Sequence, residues 1–186
     1  SSHLTAQGIT YPIIIQGLRW RPNTNVALAA VSYTTPCSVR LSTCPTDWST
    51  TTTALASNRG VDETLCFQGP VSFGPQPAQV GPTPFGINIP FTTPFLYDPN
   101  LGDLNIECDL PVQATTIAAF QLDVHATAGQ ANAARIYWST GYTGYPGGTA
   151  TGRDANHAVV VQVDYVPAAG LYPSFTATPT SGPTGT

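Results

Sequence analysis

Ten carboxylates, three histidines, four cysteines and a run of aromatic side chains are the groups in this chain that could do chemistry. The densest oxygen-bearing stretch is residues 97–103, where Asp98, Asn100 and Asp103 lie within six residues. Hard cations such as Ca²⁺ take about six to eight oxygen ligands, and Asp/Asn-rich loops supply them, so these three are candidate metal ligands. The same stretch is also an ordinary turn, with Asp98 capping the backbone and Gly102 at positive φ, and it lacks EF-hand spacing. Residues 58–63 carry the same ambiguity. Tyr137, Tyr142 and Tyr145 surround Trp138 in a Gly-rich segment, and Trp48 stands on a Thr-rich loop. Aromatic faces stack on sugar rings, so Tyr137, Tyr142, Tyr145 and Trp48 are candidate ligand-binding residues. The alternative places Trp138 in the core and the tyrosines as cover for one end of the fold.

A nucleophile is not legible. There is no G-x-S-x-G elbow, no H-E-x-x-H and no Gly-rich phosphate loop. His125 follows Asp123 by two residues, a spacing that serves a surface pair as well as a general base. Glu63, Glu107 and eight aspartates could furnish a two-carboxylate hydrolase, but no pair stands out. The chain therefore reads as no enzyme.

These groups must be positioned by strands. Residues 103–110 alternate acidic or amidic side chains with Leu104, Ile106, Cys108 and Leu110, which gives a strand one dry and one wet face. Residues 85–91, 118–125 and 157–166 repeat the pattern. In them Phe120, Leu122, Val124, Val159, Val161, Val163 and Tyr165 point inward. Residues 12–21, 26–33, 38–43, 65–72 and 134–139 are also strand-like, whereas 51–57 could form one helical turn. The expected fold is all-β, an antiparallel two-sheet β-sandwich of jelly-roll type. It occupies residues 1–167, with 168–186 a Thr/Pro/Gly-rich linker or the start of a following domain. The acidic stripe Asp103, Asn105, Glu107 and Asp109 needs solvent or an arginine opposite it, with Arg19, Arg40 and Arg135 available on strands.

Composition sets the compartment. The chain has no methionine, its six basic residues are all arginine, and 9 % of residues are charged, against about 25 % in a typical domain. Cys37, Cys44, Cys66 and Cys108 in such a chain point to disulfides and an oxidising compartment. If 38–43 is extended, Cys37 and Cys44 stand about 23 Å apart, beyond disulfide reach. The expected bonds are Cys44–Cys66 and Cys37–Cys108. A net charge of −4 leaves no basic face for nucleic acid, and no apolar run is long enough for a membrane helix. The first residues, Ser1, Ser2 and His3, read as those of a mature chain or excised fragment.

The order of segments resembles a known pattern. Residues 15–22, 39–43, 56–62 (Asn58, Arg59, Gly60, Asp62), 68–70 and the PF-x-YDP-x-x-G-x-L element at 94–104 are similar to an uncharacterised β-domain of exported bacterial proteins. Residues 175–186 resemble the junction opening a polycystic-kidney-disease-type immunoglobulin-like module. The resemblance spans roughly residues 8–166, and the chain starts after the first strand of that pattern. It implies a secreted or surface-attached β-domain and no activity, and the cysteines are additions to it.

The expectation is thus a secreted, non-catalytic structural or adhesive module of a bacterial surface or matrix protein, able to assemble with copies of itself. A carbohydrate-binding module with a surface glycan as partner is the first alternative, an extracellular polysaccharide hydrolase the second. Calcium is the one ion the chain could take.

Overall fold

Alternation becomes strand where the sequence pattern is strongest. A computed structural model of the chain describes residues 2–23, 33–74, 82–110, 122–126, 132–137 and 148–168. In order these contain α1 (Ser2–Ala6), β1 (Ile13–Trp20), β2 (Tyr33–Cys44), α2 (Leu55–Asn58), β3 (Thr64–Phe73), β4 (Ile87–Tyr97) and β5 (Asp103–Asp109). They continue with β6 (Val124–His125), β7 (Ala134–Tyr137), β8 (Gly152–Ala155), β9 (Ala158–Val159) and β10 (Val161–Pro167). The chain is all-β, built from antiparallel pairs. Two sheets have three strands, ordered β10-β1-β4 and β3-β2-β5, and two small ribbons pair β6 with β9 and β7 with β8.

One apolar cluster joins the two larger sheets. Ile13, Ile15, Leu18, Trp20, Ile87, Ile89, Phe95 and Tyr97 enter it from the first, and Cys37, Val39, Leu41, Cys66, Val71 and Phe73 from the second. The pairing register keeps the two faces read along residues 103–110, although Cys108, expected on the dry face, is exposed. Ile106 pairs with Leu41 and Cys108 with Val39, whereas Asn105, Glu107 and Asp109 pair with Ser42, Arg40 and Ser38 on the opposite face.

Two bulges break the period of two. Gln16 is an extra residue of β1 against β10, whereas on β4 the four residues 91–94 stand opposite it, and inward residues of β1 shift from Ile13 and Ile15 to Leu18 and Trp20. Such an insertion re-aims side chains and increases local twist. On β3, Cys66 is the extra residue between the pairs Arg40–Leu65 and Val39–Phe67.

Several expectations change. All four cysteines, Cys37, Cys44, Cys66 and Cys108, carry free thiols. Because Leu41 pairs with Thr64, Cys44 lies four to five residues further along β2 than the level of Cys66, or about 15 Å. A disulfide needs Cα atoms within about 7 Å, so this register overturns the Cys44–Cys66 bond. Cys37 and Cys108 do occupy neighbouring strands, on one face but two residues out of line. Diagonal positions of that kind are about 7–8 Å apart, just outside bonding range.

Tyr165, expected inward, is 37 % exposed although it pairs with the fully buried Ile15. Val124 is also exposed, paired with Val159 in the short β6–β9 ribbon, whereas Leu122 packs on the core. The short helix α1 and the strand β8 were not expected, and α2 forms at the end of the anticipated turn. Strand 26–33, except its last residue, and the segment 169–186 lie outside the described residues. Among the described residues, no helix is long and apolar enough to cross a membrane.

Candidate functional site

The acidic loop that could hold a metal spends its groups on itself. The Asp98 carboxylate accepts the Asn100 backbone N–H at 2.9 Å and the Asn100 amide at 2.8 Å. Asn100 also donates to the Thr10 carbonyl, and Asp103 accepts the Trp48 backbone N–H at 3.2 Å. Tyr97, fully buried, donates its hydroxyl to the Gly102 carbonyl at 2.8 Å. Its burial and the charges of Asp103 and Asp98 hold that phenol well above its ordinary pKa. Asp98, Asn100 and Asp103 thus shape a turn between β4 and β5. Among the described residues no group of three or more His, Cys, Asp or Glu could hold a metal ion.

The long connection between β2 and β3 is pinned to the sheet. A Cβ on Gly60 would lie 2.0 Å from the Thr43 carbonyl, and one on Gly102 would lie 2.7 Å from the Cys44 carbonyl. Only glycine permits those approaches. Asp62 accepts both the Thr43 N–H and its hydroxyl, at 2.9 and 2.6 Å. Buried Asn58 bonds the Thr52 N–H and the Thr52 and Ala54 carbonyls. From β8, Arg153 donates to the carbonyls of Trp48 and Ser49 and to the Thr51 hydroxyl. Trp48 is therefore half-buried and held through its backbone on both sides. Segments 58–62 and 94–104 thus meet at Thr43 and Cys44, where they do architectural work.

The acidic stripe meets arginine, chiefly Arg59 from the loop before β3. Arg59 forms a two-pronged pair with Glu107, both contacts 2.7 Å, and also reaches Glu63 at 3.3 Å. Arg40 closes the chain to Glu63 at 3.0 Å, and Asn105 donates to Glu107. Both glutamates of the protein are held here, on the outer face of β3-β2-β5. Arg19 and Arg135 instead pair with Asp164 and Asp154. Asp123 is taken by Arg21 at 2.6 Å, so it has an ion-pair partner other than the neighbouring His125.

The aromatic platform is represented by Tyr137 alone. Its ring is covered by the Arg135 guanidinium at 4.6 Å, and its hydroxyl rests over Gly152, where a Cβ would approach it to 2.7 Å. A ring capped by a guanidinium offers only its other face to a ligand. Tyr142, Tyr145 and Trp138 lie outside the described residues.

One sheet face carries an open concavity. A groove of about 520 Å³ on β10-β1-β4 is lined by Gln16, Arg19, Asn88, Pro90, Val163, Asp164 and Tyr165. Gly17 stands between Asp164 and Pro90 in the ladder and contributes no side chain. The one local signal was the break in alternation around Gln16 and Gly17. Its partners are more than 70 residues away in the chain. No family model matches this chain, and no curated protein or solved structure matches it.

Proposed function

We propose that this chain is a non-catalytic, secreted structural or adhesive module of a bacterial surface or matrix protein. The observation that carries the reading is the use of its arginines. Five of the six bind carboxylates of the same chain, and the sixth, Arg153, holds the 48–51 loop. A chain so poor in charge that commits its cations to fastening loops and strands is invested in shape. Its two three-stranded sheets around one cluster read as the layers of a jelly-roll-like sandwich. Outside the cell, exchange with an external small-molecule disulfide, itself reduced to two thiols, would join the Sγ atoms of Cys37 and Cys108, the pair on one face of adjacent strands, after a shift of about 1 Å at the end of β5. Cys44 and Cys66 stay reduced in that state. Counting reactive thiols in exported, denatured protein checks this, with two expected and four excluding the bond.

The functional test is retention without turnover. Beads coated with the chain should be held by an extracellular matrix, or by one another, while the matrix polymers keep their length. Release of soluble fragments by the purified chain would replace this reading with a hydrolase. Light scattering in native buffer tests self-assembly: multimers that vanish on removal of 168–186 are expected, and a monomer at every concentration rejects it.

A further inference from the structure

We infer that the groove on β10-β1-β4 is a binding site for a neutral glycan, which deepens the adhesive reading and rests on it. The floor of the groove is set by the bulge. Gln16, the inserted residue of β1, is exposed, and the next residue is a glycine packed against the Ile89 carbonyl, 3.0 Å from where a Cβ would stand. Arg19 and Asn88 are directly paired in the ladder, as are Gly17 and Asp164. The four polar groups around the absent side chain therefore come from three strands, held by main-chain pairing.

Their chemistry selects the ligand. The charges in the groove are Arg19 and Asp164, and they neutralise each other through a 2.7 Å contact from the guanidinium Nε. A polyanion meets Asp164, a polycation meets Arg19, and neither gains net attraction. What remains are hydrogen-bonding groups without intramolecular partners. Among the described residues the amides of Gln16 and Asn88 make no side-chain hydrogen bond, and Arg19 uses only its Nε. Two amides, each donor and acceptor, and the terminal guanidinium nitrogens match the paired donor and acceptor character of vicinal hydroxyls. Tyr165, 37 % exposed at the wall, supplies a ring for the apolar face of a sugar. The groove is open and shallow, which suits an internal stretch of polysaccharide rather than an enclosed small molecule.

Affinity electrophoresis of the whole chain through gels containing xylan, glucomannan or mixed-linkage β-glucan tests this, with polygalacturonate as the anionic probe. Retardation by at least one neutral polymer and none by polygalacturonate is expected. Asn88→Ala and Gln16→Ala, both at exposed positions, should each weaken that retardation by about tenfold with unchanged thermal unfolding, whereas Val61→Ala, on the opposite sheet's loop, should not. Free passage through every neutral polymer, or retardation that Asn88→Ala and Gln16→Ala leave intact, overturns the groove as the site. The adhesive module then still stands or falls on the retention test. Reducing ends appearing in the retarding polymer would instead defeat the non-catalytic reading and leave the groove assigned.

Discussion

The outer faces of the two three-stranded sheets begin from the same alternating pattern and end differently. On β3-β2-β5 the polar face is closed: Arg40, Glu63, Arg59 and Glu107 form a continuous ion-pair chain, and the loop carrying Arg59 and Glu63 is pressed onto the strand end at Gly60. Among the described residues of β10-β1-β4 one pair, Arg19 with Asp164, stands beside the unbonded amides of Gln16 and Asn88 at an open groove. Arg59 and Glu107 side chains are 13 % and 12 % exposed, against 42 % and 29 % for Arg19 and Asp164. Charge on the first face is structural, and on the second it is available. The difference teaches where to look for a ligand in a protein with few charges: at the polar groups that the fold has not already used.

The comparison breaks most readily at Arg59. Replacing it by Ala leaves the largely buried Glu107 without its ion-pair partner and Glu63 with Arg40 alone, and a loss of about 3 kcal/mol is expected in urea unfolding. A loss below about 1 kcal/mol would mean that the closed face is no more structural than the open one. Gly60→Ala comes next. Its Cβ has no room beside the Thr43 carbonyl, so the loop must lift, at about 2 kcal/mol. The equivalent change on the open face, Gly17→Ala, meets Ile89 at 3.0 Å and should cost roughly half as much. Arg19→Met should alter stability by less than about 1 kcal/mol, since a half-exposed pair is screened by solvent.

The smallest effect sharpens the edge of the closed face. Partial burial pushes the Asp109 carboxyl above its ordinary pKa, against the pull of Arg40. The fold therefore prefers the protonated form, and the ionised side chain costs stability at neutral pH. Asp109→Asn should be slightly more stable than the parent at pH 7. The gain should fade as the pH drops through the raised carboxyl value, where the parent binds its proton. Urea midpoints at pH 7 and at about pH 4 measure both, and a destabilised Asn variant at pH 7 would show that the carboxylate has a partner.

How much could be read from the chain depended on range. The faces of β5 followed directly from Leu104, Ile106 and Cys108 alternating with Asn105, Glu107 and Asp109, because side-chain direction in a strand has a period of two. The turn at Asp98 and Asn100 was equally local, with Asp98 binding the backbone two residues on. The exposure of Tyr165 was not legible, because alternation along β10 is regular and its partner Ile15 is buried. The cysteines failed because spacing along the chain says little about level within a sheet.

Alone, then, the sequence determined an all-β chain of amphipathic strands, the turn chemistry at 97–103 and the glycines that punctuate it. These depend on neighbours a few residues away, where backbone geometry is nearly fixed. Strand order and register were decided only in three dimensions. They brought Arg59 to Glu107 across 48 residues and Arg19 to Asp164 across 145, and they left Gln16 and Asn88 facing an open groove. Such contacts follow from which edges pair and where a single bulge falls, and the free energy that selects them belongs to the packed core as a whole.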